Sequence, residues 1–138
     1  MIGFVLDDTI IHAFAHGSDH VARMIAANDA RSIRMAVPSV TLALAKVELS
    51  DEQCDEVDGV IELLEHIDLD GLHSATEATD FSRVIIEFGA LHDLAAAHVV
   101  HTAKQLDWPI VTADRDRWTA IEQQLPYRLE LFVLSENT

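Results

Sequence analysis

The chain has 138 residues, enough for one hydrophobic core and too few for two ordinary domains. Its 24 acids against 9 bases give a formal charge of −15. That charge excludes the simplest nucleic-acid binder, a basic surface that gains affinity by releasing counterions from phosphates, but not a nuclease, which needs carboxylates to hold metal ions. A single cysteine, Cys54, rules out an intramolecular disulfide and a cysteine-built zinc site. Met1–Leu6 has no basic leader, and its apolar run stops at Asp7. The longest uncharged stretches are about a dozen residues, too short to span a bilayer, so a cytoplasmic protein with no membrane contact is expected. The charge is uneven. No Lys or Arg lies between Lys46 and Arg83, so −12 of the −15 falls in segment 47–82 and only −3 on the rest.

In chain order, Ile2–Leu6 is a short apolar run that predicts a buried strand, ending at Asp7-Asp8-Thr9. A short helix to about Ala15 is closed by Gly17, and Ser18 caps a helix with Val21, Met24 and Ile25 on one face. Ser32–Val37 predicts a strand stopped by Pro38, and Ser39–Leu49 a helix with Val40, Ala43, Leu44 and Val47 on its apolar side. Ser50-Asp51-Glu52-Gln53 fits a capping box before an acid-coated helix whose Cys54, Val57, Ile61 and Leu64 face inward. Ile67–Leu72 predicts a brief strand. Ser74-Ala75-Thr76-Glu77 predicts a second capping box, ahead of a helix with Ala78, Phe81, Ile85 and Phe88 on one face and Gly89 at its end. An Ala-rich helix follows over Leu91–Leu106, then a strand at Pro109–Thr112, a helix at Arg115–Gln124 and a strand at Leu129–Leu134. Strands alternating with helices give an α/β fold with a mainly parallel central sheet, in a single domain over 1–138.

In open α/β sheets, sites form beyond the carboxyl ends of the strands. Asp7 follows the first strand directly, Asp114 comes two residues after the Pro109–Thr112 strand, and Asp93 sits in the first turn of the Leu91 helix, with Asp116 close behind Asp114. Two unit charges about 4 Å apart repel by roughly 4 kcal/mol at an effective dielectric of about 20. A hard divalent cation removes that penalty, activates water and stabilises the charge of an in-line attack on a phosphodiester. Each acid also has a plainer use: Asp7 and Asp8 as helix caps, Asp93 as a favourable charge at a helix N-terminus, Asp114 in an Asx turn.

Three segments in order resemble the PIN domain, in particular its bacterial toxin branch (VapC-like). The family has a hydrophobic strand followed by Asp, a small residue and Ser or Thr, matched by Phe4-Val5-Leu6-Asp7-Asp8-Thr9. It has an acid opening an Ala-rich helix after a Gly, matched by Phe88-Gly89-Ala90-Leu91-His92-Asp93-Leu94-Ala95-Ala96-Ala97. It has an apolar strand before Thr-x-Asp, often with a further Asp, matched by Pro109-Ile110-Val111-Thr112-Ala113-Asp114-Arg115-Asp116. The resemblance covers essentially the whole chain. It implies a three-layer α/β/α fold with about five short strands, and a Mg²⁺- or Mn²⁺-dependent ribonuclease acting on RNA with Asp7, Asp93 and Asp114 as metal ligands. Asp116 would be an auxiliary ligand or water-positioner, and Thr9 and Thr112 hydrogen-bonding support. It further implies a homodimer and, in toxin–antitoxin pairs, a partner that blocks the site. The acid-coated helix at Asp51–Glu65, within the acidic segment 47–82, reads first as a solvated face; the sharper alternative is a docking surface for a basic antitoxin-like partner.

One departure stands out. The family pattern places a Glu six residues after the proline of the second strand; here Pro38 is followed at that spacing by Leu44. Glu48, four residues on and on a similar helical face, is the substitute the sequence offers. Without it the site lacks a ligand, and the alternative is a catalytically degenerate PIN-like protein that acts as an interaction module. The His92-Asp93 pair does not make an all-helical His-Asp phosphohydrolase of a chain with apolar strands at both ends. The histidines at 12, 16, 20, 98 and 101 show no convergent set of three or four ligands and are expected at the surface or half-buried. Trp108 and Trp118, which flank the last motif, are expected in the core rather than stacked on bases.

Overall fold

The structure, a computed structural model, describes residues 2–89 and 92–134. Its elements run β1 (Gly3–Leu6), α1 (Asp8–Ala15), α2 (Asp19–Ala30), β2 (Arg34–Pro38), α3 (Ser39–Lys46), α4 (Asp51–Leu63), β3 (Ile67–Asp70), α5 (Ala75–Glu87), α6 (Leu94–Leu106), β4 (Ile110–Thr112), α7 (Arg115–Glu122) and β5 (Leu131–Val133). The five strands are all parallel, in the order β3-β2-β1-β4-β5. This is the α/β class, with a parallel central sheet of five short strands, that the sequence predicts.

Strand pleating divides the core. Val5, Ala36 and Ile110 point to one face and pack with Val84, Phe88, Val99 and Trp118 from α5, α6 and α7. Leu6, Met35, Val37 and Val111 point to the other, with Ile10, Val21, Ile25 and Val57 from α1, α2 and α4. The result is three layers. Helix α6 is buried from Ala95 to Ala103, and its small side chains suit the covered position between the sheet and its helical neighbours. Starting in the middle, the chain first crosses to β2 and β3, then returns to β4 and β5 on the other side of β1. The order therefore reverses between β1 and β4, and a crevice opens beyond their carboxyl ends.

Several local expectations need correction. Helix α3 ends at Lys46 and buries Thr41, Leu42 and Ala45, whereas Ala43, Leu44 and Val47 are exposed. Its phase is set by α6, where the Thr41 hydroxyl donates to the Ala95 carbonyl at 2.8 Å, so a polar residue takes the inner position and leaves the apolar ones outside. Ser74 accepts from the Glu77 N–H, but the Glu77 carboxylate accepts from the His73 N–H, so the second capping box is only half formed. On α5, Val84 is buried and Ala78 exposed. Helix α6 begins at Leu94, with Asp93 as its cap rather than inside its first turn; Ala90 and Leu91 lie outside the described residues. The Ser50–Gln53 capping box is complete, and Gly17 closes the first helical segment with φ +84°. Among the described residues no helix is long and apolar enough to cross a membrane.

Two histidines expected at or near the surface are buried. His98 is 1% exposed, and His101 lies one turn further along α6. The His98 Nδ1 accepts the Val40 N–H at 3.0 Å, at the start of α3, so this nitrogen carries no proton. Burial, with His101 nearby, pushes the His98 pKa down to about 4, and burial lowers His101 as well. The unfolded chain therefore takes up protons below its ordinary His pKa that the folded chain refuses, and stability falls as the pH drops from about 6.5 towards 4. Urea midpoints at about pH 7.5 and about pH 5 should show this loss, and His98→Asn, whose amide oxygen replaces Nδ1 as acceptor but does not titrate, should flatten it.

Candidate functional site

The site lies in the crevice between β1 and β4. Three of the predicted acids are built there by one local device: each is the N-cap of a helix and accepts the backbone N–H three residues on. Asp7 accepts from Ile10, Asp93 from Ala96 and Asp114 from Arg117, all at 3.1 Å. Asp7 and Asp114 cap helices that follow β1 and β4, so their carboxylates come at strand ends, whereas Asp93 caps α6, which follows α5 and not a strand. The capping use and the site use are thus a single geometry.

Asp7 is the innermost acid, with 0% exposure. Its Oδ1 accepts from the Thr9 hydroxyl at 2.6 Å as well as from Ile10, and its Oδ2 accepts from the Trp118 indole N–H at 2.8 Å. Burial raises its pKa; the hydroxyls of Thr112 and Thr9 and the Trp118 indole pull the other way, and the charge of Asp8 adds to the rise. Thr9 also accepts the Ala113 N–H at 2.9 Å, and its hydroxyl oxygen lies 3.3 Å from that of Thr112, which accepts the Asp114 N–H at 3.0 Å. Both threonines therefore tie the β1 end to the β4 end.

The sequence reading missed the residue at the centre, Arg117. Its guanidinium makes a two-pronged contact with Asp93, Nε to Oδ2 at 3.2 Å and Nη2 to Oδ1 at 2.9 Å. Its Nη1 donates to Asp8 Oδ1 at 2.6 Å and lies 3.8 Å from Asp7 Oδ2. Burial alone would lower the Arg117 pKa, but hydrogen bonds and charge from Asp93 and Asp8 hold it above the ordinary arginine value. The ring of Trp118 lies beside the guanidinium, 5.7 Å to the centroid. The spacing from Asp114 to Arg117 held the available clue: position 117 is where the Asp114 cap receives its N–H, so its side chain starts at the site end of α7. Asp8, next to Asp7, is the second unforeseen member.

The remaining predicted residues stand apart. Asp114 is exposed and joins the cluster through the backbone of Arg117; Asp116 is exposed and takes part in none of these contacts. Glu48 lies beyond the end of α3, with its carboxylate 3.7 Å from His12 Nε2. Leu44 is 42% exposed.

These residues do not fit a divalent cation as they are arranged. Both oxygens of buried Asp7 already accept from the protein, a guanidinium lies between Asp8 and Asp93, and the expected fourth acid is Leu44. Among the described residues no three His, Cys, Asp or Glu side chains are grouped so as to hold a metal.

No family model and no curated protein matches the sequence. Solved structures do match the fold. One is a chain of DNA-bound VapBC from Salmonella typhimurium, 16% identical, with a TM-score of 0.64, covering 96% of this chain and 98% of that one. Another is a chain of VapBC2 from Rickettsia felis bound to a DNA fragment from their promoter, 17% identical, with a TM-score of 0.60 and the same coverage. At these identities the likeness shows the fold, and that fold is VapC-like.

Replacing Trp118 by Phe removes the indole donor from a buried carboxylate and should cost about 1–3 kcal/mol of unfolding free energy, measured by urea titration. A loss within about 0.5 kcal/mol, the scatter of ordinary surface changes, would show that the bond to Asp7 contributes little.

Proposed function

We propose that this chain is the VapC-like half of a toxin–antitoxin-type pair and that it works by binding its protein partner, without metal-dependent ribonuclease activity. The observation that carries this reading is Arg117: an internal cation seated on Asp8 and Asp93 where a nuclease site would need free carboxylates. Leu44 in place of the expected Glu supports it. The partner is basic, because the acid-rich elements α4 and β3 and the first half of α5 carry most of the net charge. Exposed Leu44 and Val47 on the outer side of α3 support a second copy of the chain as a further contact, and the cytoplasm is the compartment this reading assumes.

A second reading, a Mg²⁺- or Mn²⁺-dependent ribonuclease, is favoured by a different observation. A groove beside the site is lined by His16, His20, Arg115, Ala113 and Val133 with no carboxylate among its walls, an exception in so acidic a protein and a surface suited to an RNA backbone. In that reading Asp7, Asp93 and Asp114 hold the ion, with Asp116 in support.

Thermal unfolding of the wild-type protein separates the two. With Mn²⁺ at about 5 mM the midpoint should stay within about 1 °C of the metal-free value, and single-stranded RNA should survive incubation with the same ion. A metal-dependent rise that Asp7→Asn and Asp93→Asn both abolish, together with RNA cleavage that they also abolish, would replace the binding reading with the nuclease one.

A further inference from the structure

We infer that the outer side of β3 is where the basic partner docks, and that it docks by adding one extended segment of alternating basic and apolar residues to the sheet. The inference rests on the proposal of a basic protein partner and adds the place and the conformation in which it binds.

The register of the sheet decides which backbone groups of β3 are available. Met35 is paired with Ile67, and the Met35 N–H donates to the His66 carbonyl at 2.8 Å. In a parallel ladder, successive residues of a strand turn their N–H and C=O alternately to one neighbour and to the other side. His66, Asp68 and Asp70 therefore face β2, and Ile67 and Leu69 direct their N–H and C=O away from it. Ile67 is 5% exposed, so its part of the strand is covered, whereas Leu69 is 53% exposed and Asp68 beside it is exposed too. Among the described residues no strand pairs with β3 on that side. The usable stretch is short and centred on Leu69, so backbone bonds there set alignment and side chains must supply much of the affinity.

The two faces of the strand specify those side chains. Leu69 shares a face with Ile67, which belongs to the core under α4, while Asp68 and Asp70 point to the opposite face. A residue lying alongside Leu69 in an added strand therefore meets an apolar side chain, and the residues on either side of it meet acids. Asp68 is paired with Arg34 at 2.7 Å. Asp70 has like charge close by: burial, and then the charge of Glu77, raise its pKa. A lysine or arginine across from Asp70 relieves that repulsion, as opposite charges on neighbouring strands do. The acids of α4, which leads into β3, extend the attraction to longer range.

The test uses the full chain and a probe peptide of alternating lysine and valine, about seven residues long, an ordinary strand length. A peptide of the same composition, with its lysines and valines in separate blocks, is the control. The alternating peptide should bind at least about tenfold more tightly than the control, and more weakly as salt rises from about 50 to about 500 mM. At saturation it should slow hydrogen exchange of the Leu69 amide by at least about tenfold. Leu69→Pro removes the outward N–H and leaves the bonds to β2 in place, a position where an edge strand accepts proline, and should weaken binding by at least about tenfold. Leu69→Ala keeps the N–H and should keep the exchange protection. Where Leu69→Pro does not fold, exchange of the wild-type amide decides. Tight binding that leaves the Leu69 amide unprotected, or that Leu69→Pro does not weaken, is adsorption by charge alone; it overturns the inference and leaves the basic-partner reading standing. A wild-type dimer that Leu69→Pro converts to monomer in sedimentation assigns the strand to a second copy and also overturns the inference. Failure of both peptides to bind overturns the inference and removes the support that the acid-rich elements lend to a basic partner.

Discussion

The carboxylate of Asp7 is the constraint around which this end of the molecule is built. It closes the central strand of a parallel sheet and has no access to water. A buried acid is costly unless its oxygens are satisfied, and the chain supplies three donors from three places: the Thr9 hydroxyl, the Ile10 backbone and the Trp118 indole. The last is the long-range one. For the indole to reach Asp7, α7 must lie across the β4 end with Trp118 turned inward, and Trp118 is itself wholly buried among Val5, Ala97 and Ile110. Once Trp118 is fixed, its neighbour Arg117 emerges beside Asp8 and Asp93. The guanidinium at the centre of the crevice is thus a consequence of how the innermost acid is held.

This arrangement joins two explanations that look like rivals. Asp7, Asp93 and Asp114 all cap helices, which is sufficient reason for an Asp at each position. Yet in a parallel α/β sheet the caps of crossover helices share one edge, so capping also concentrates negative charge there. Some cation must answer that charge. In this chain the fold provides one covalently, at the N3 position of its own last helix.

Much of this was legible in the sequence, and the parts that were not have identifiable causes. Val5-Leu6 and Ile110-Val111 read as buried strands because they are apolar on both sides, and both pairs split between the two cores as a strand must. The Ser50–Gln53 box and the Gly17 stop are local chemistry and appear as predicted. The phase of α3 was not legible. Leu44 and Val47 are the larger apolar residues, but the deciding contact is a Thr41 hydroxyl meeting a carbonyl 54 residues away. The burial of His98 has the same origin, since its acceptor nitrogen meets an N–H from α3. At the site, strand-then-Asp spacing marks Asp7 and Asp114, and the cap spacing from Asp114 marks position 117, but the reach of the Arg117 guanidinium to Asp8 and Asp93 depends on how α7 packs through Trp118.

The concentration of charge in the middle of the chain has a consequence for the ends of the sheet. Strand β3 is an edge strand with an open row of backbone groups, and Leu69 on it is 53% exposed, the combination that invites a foreign strand to pair. Asp68 and Asp70 flank that leucine, and acid-coated α4 leads directly into the strand. At the opposite edge β5 is only three residues long, and Phe132 is met edge-on by Phe4 at 5.2 Å. Two copies meeting at β3 would bring like charges together along the whole strand. The acids of the strand, Asp70 and the Arg34-paired Asp68, therefore disfavour self-pairing at the β3 edge by charge rather than by covering it.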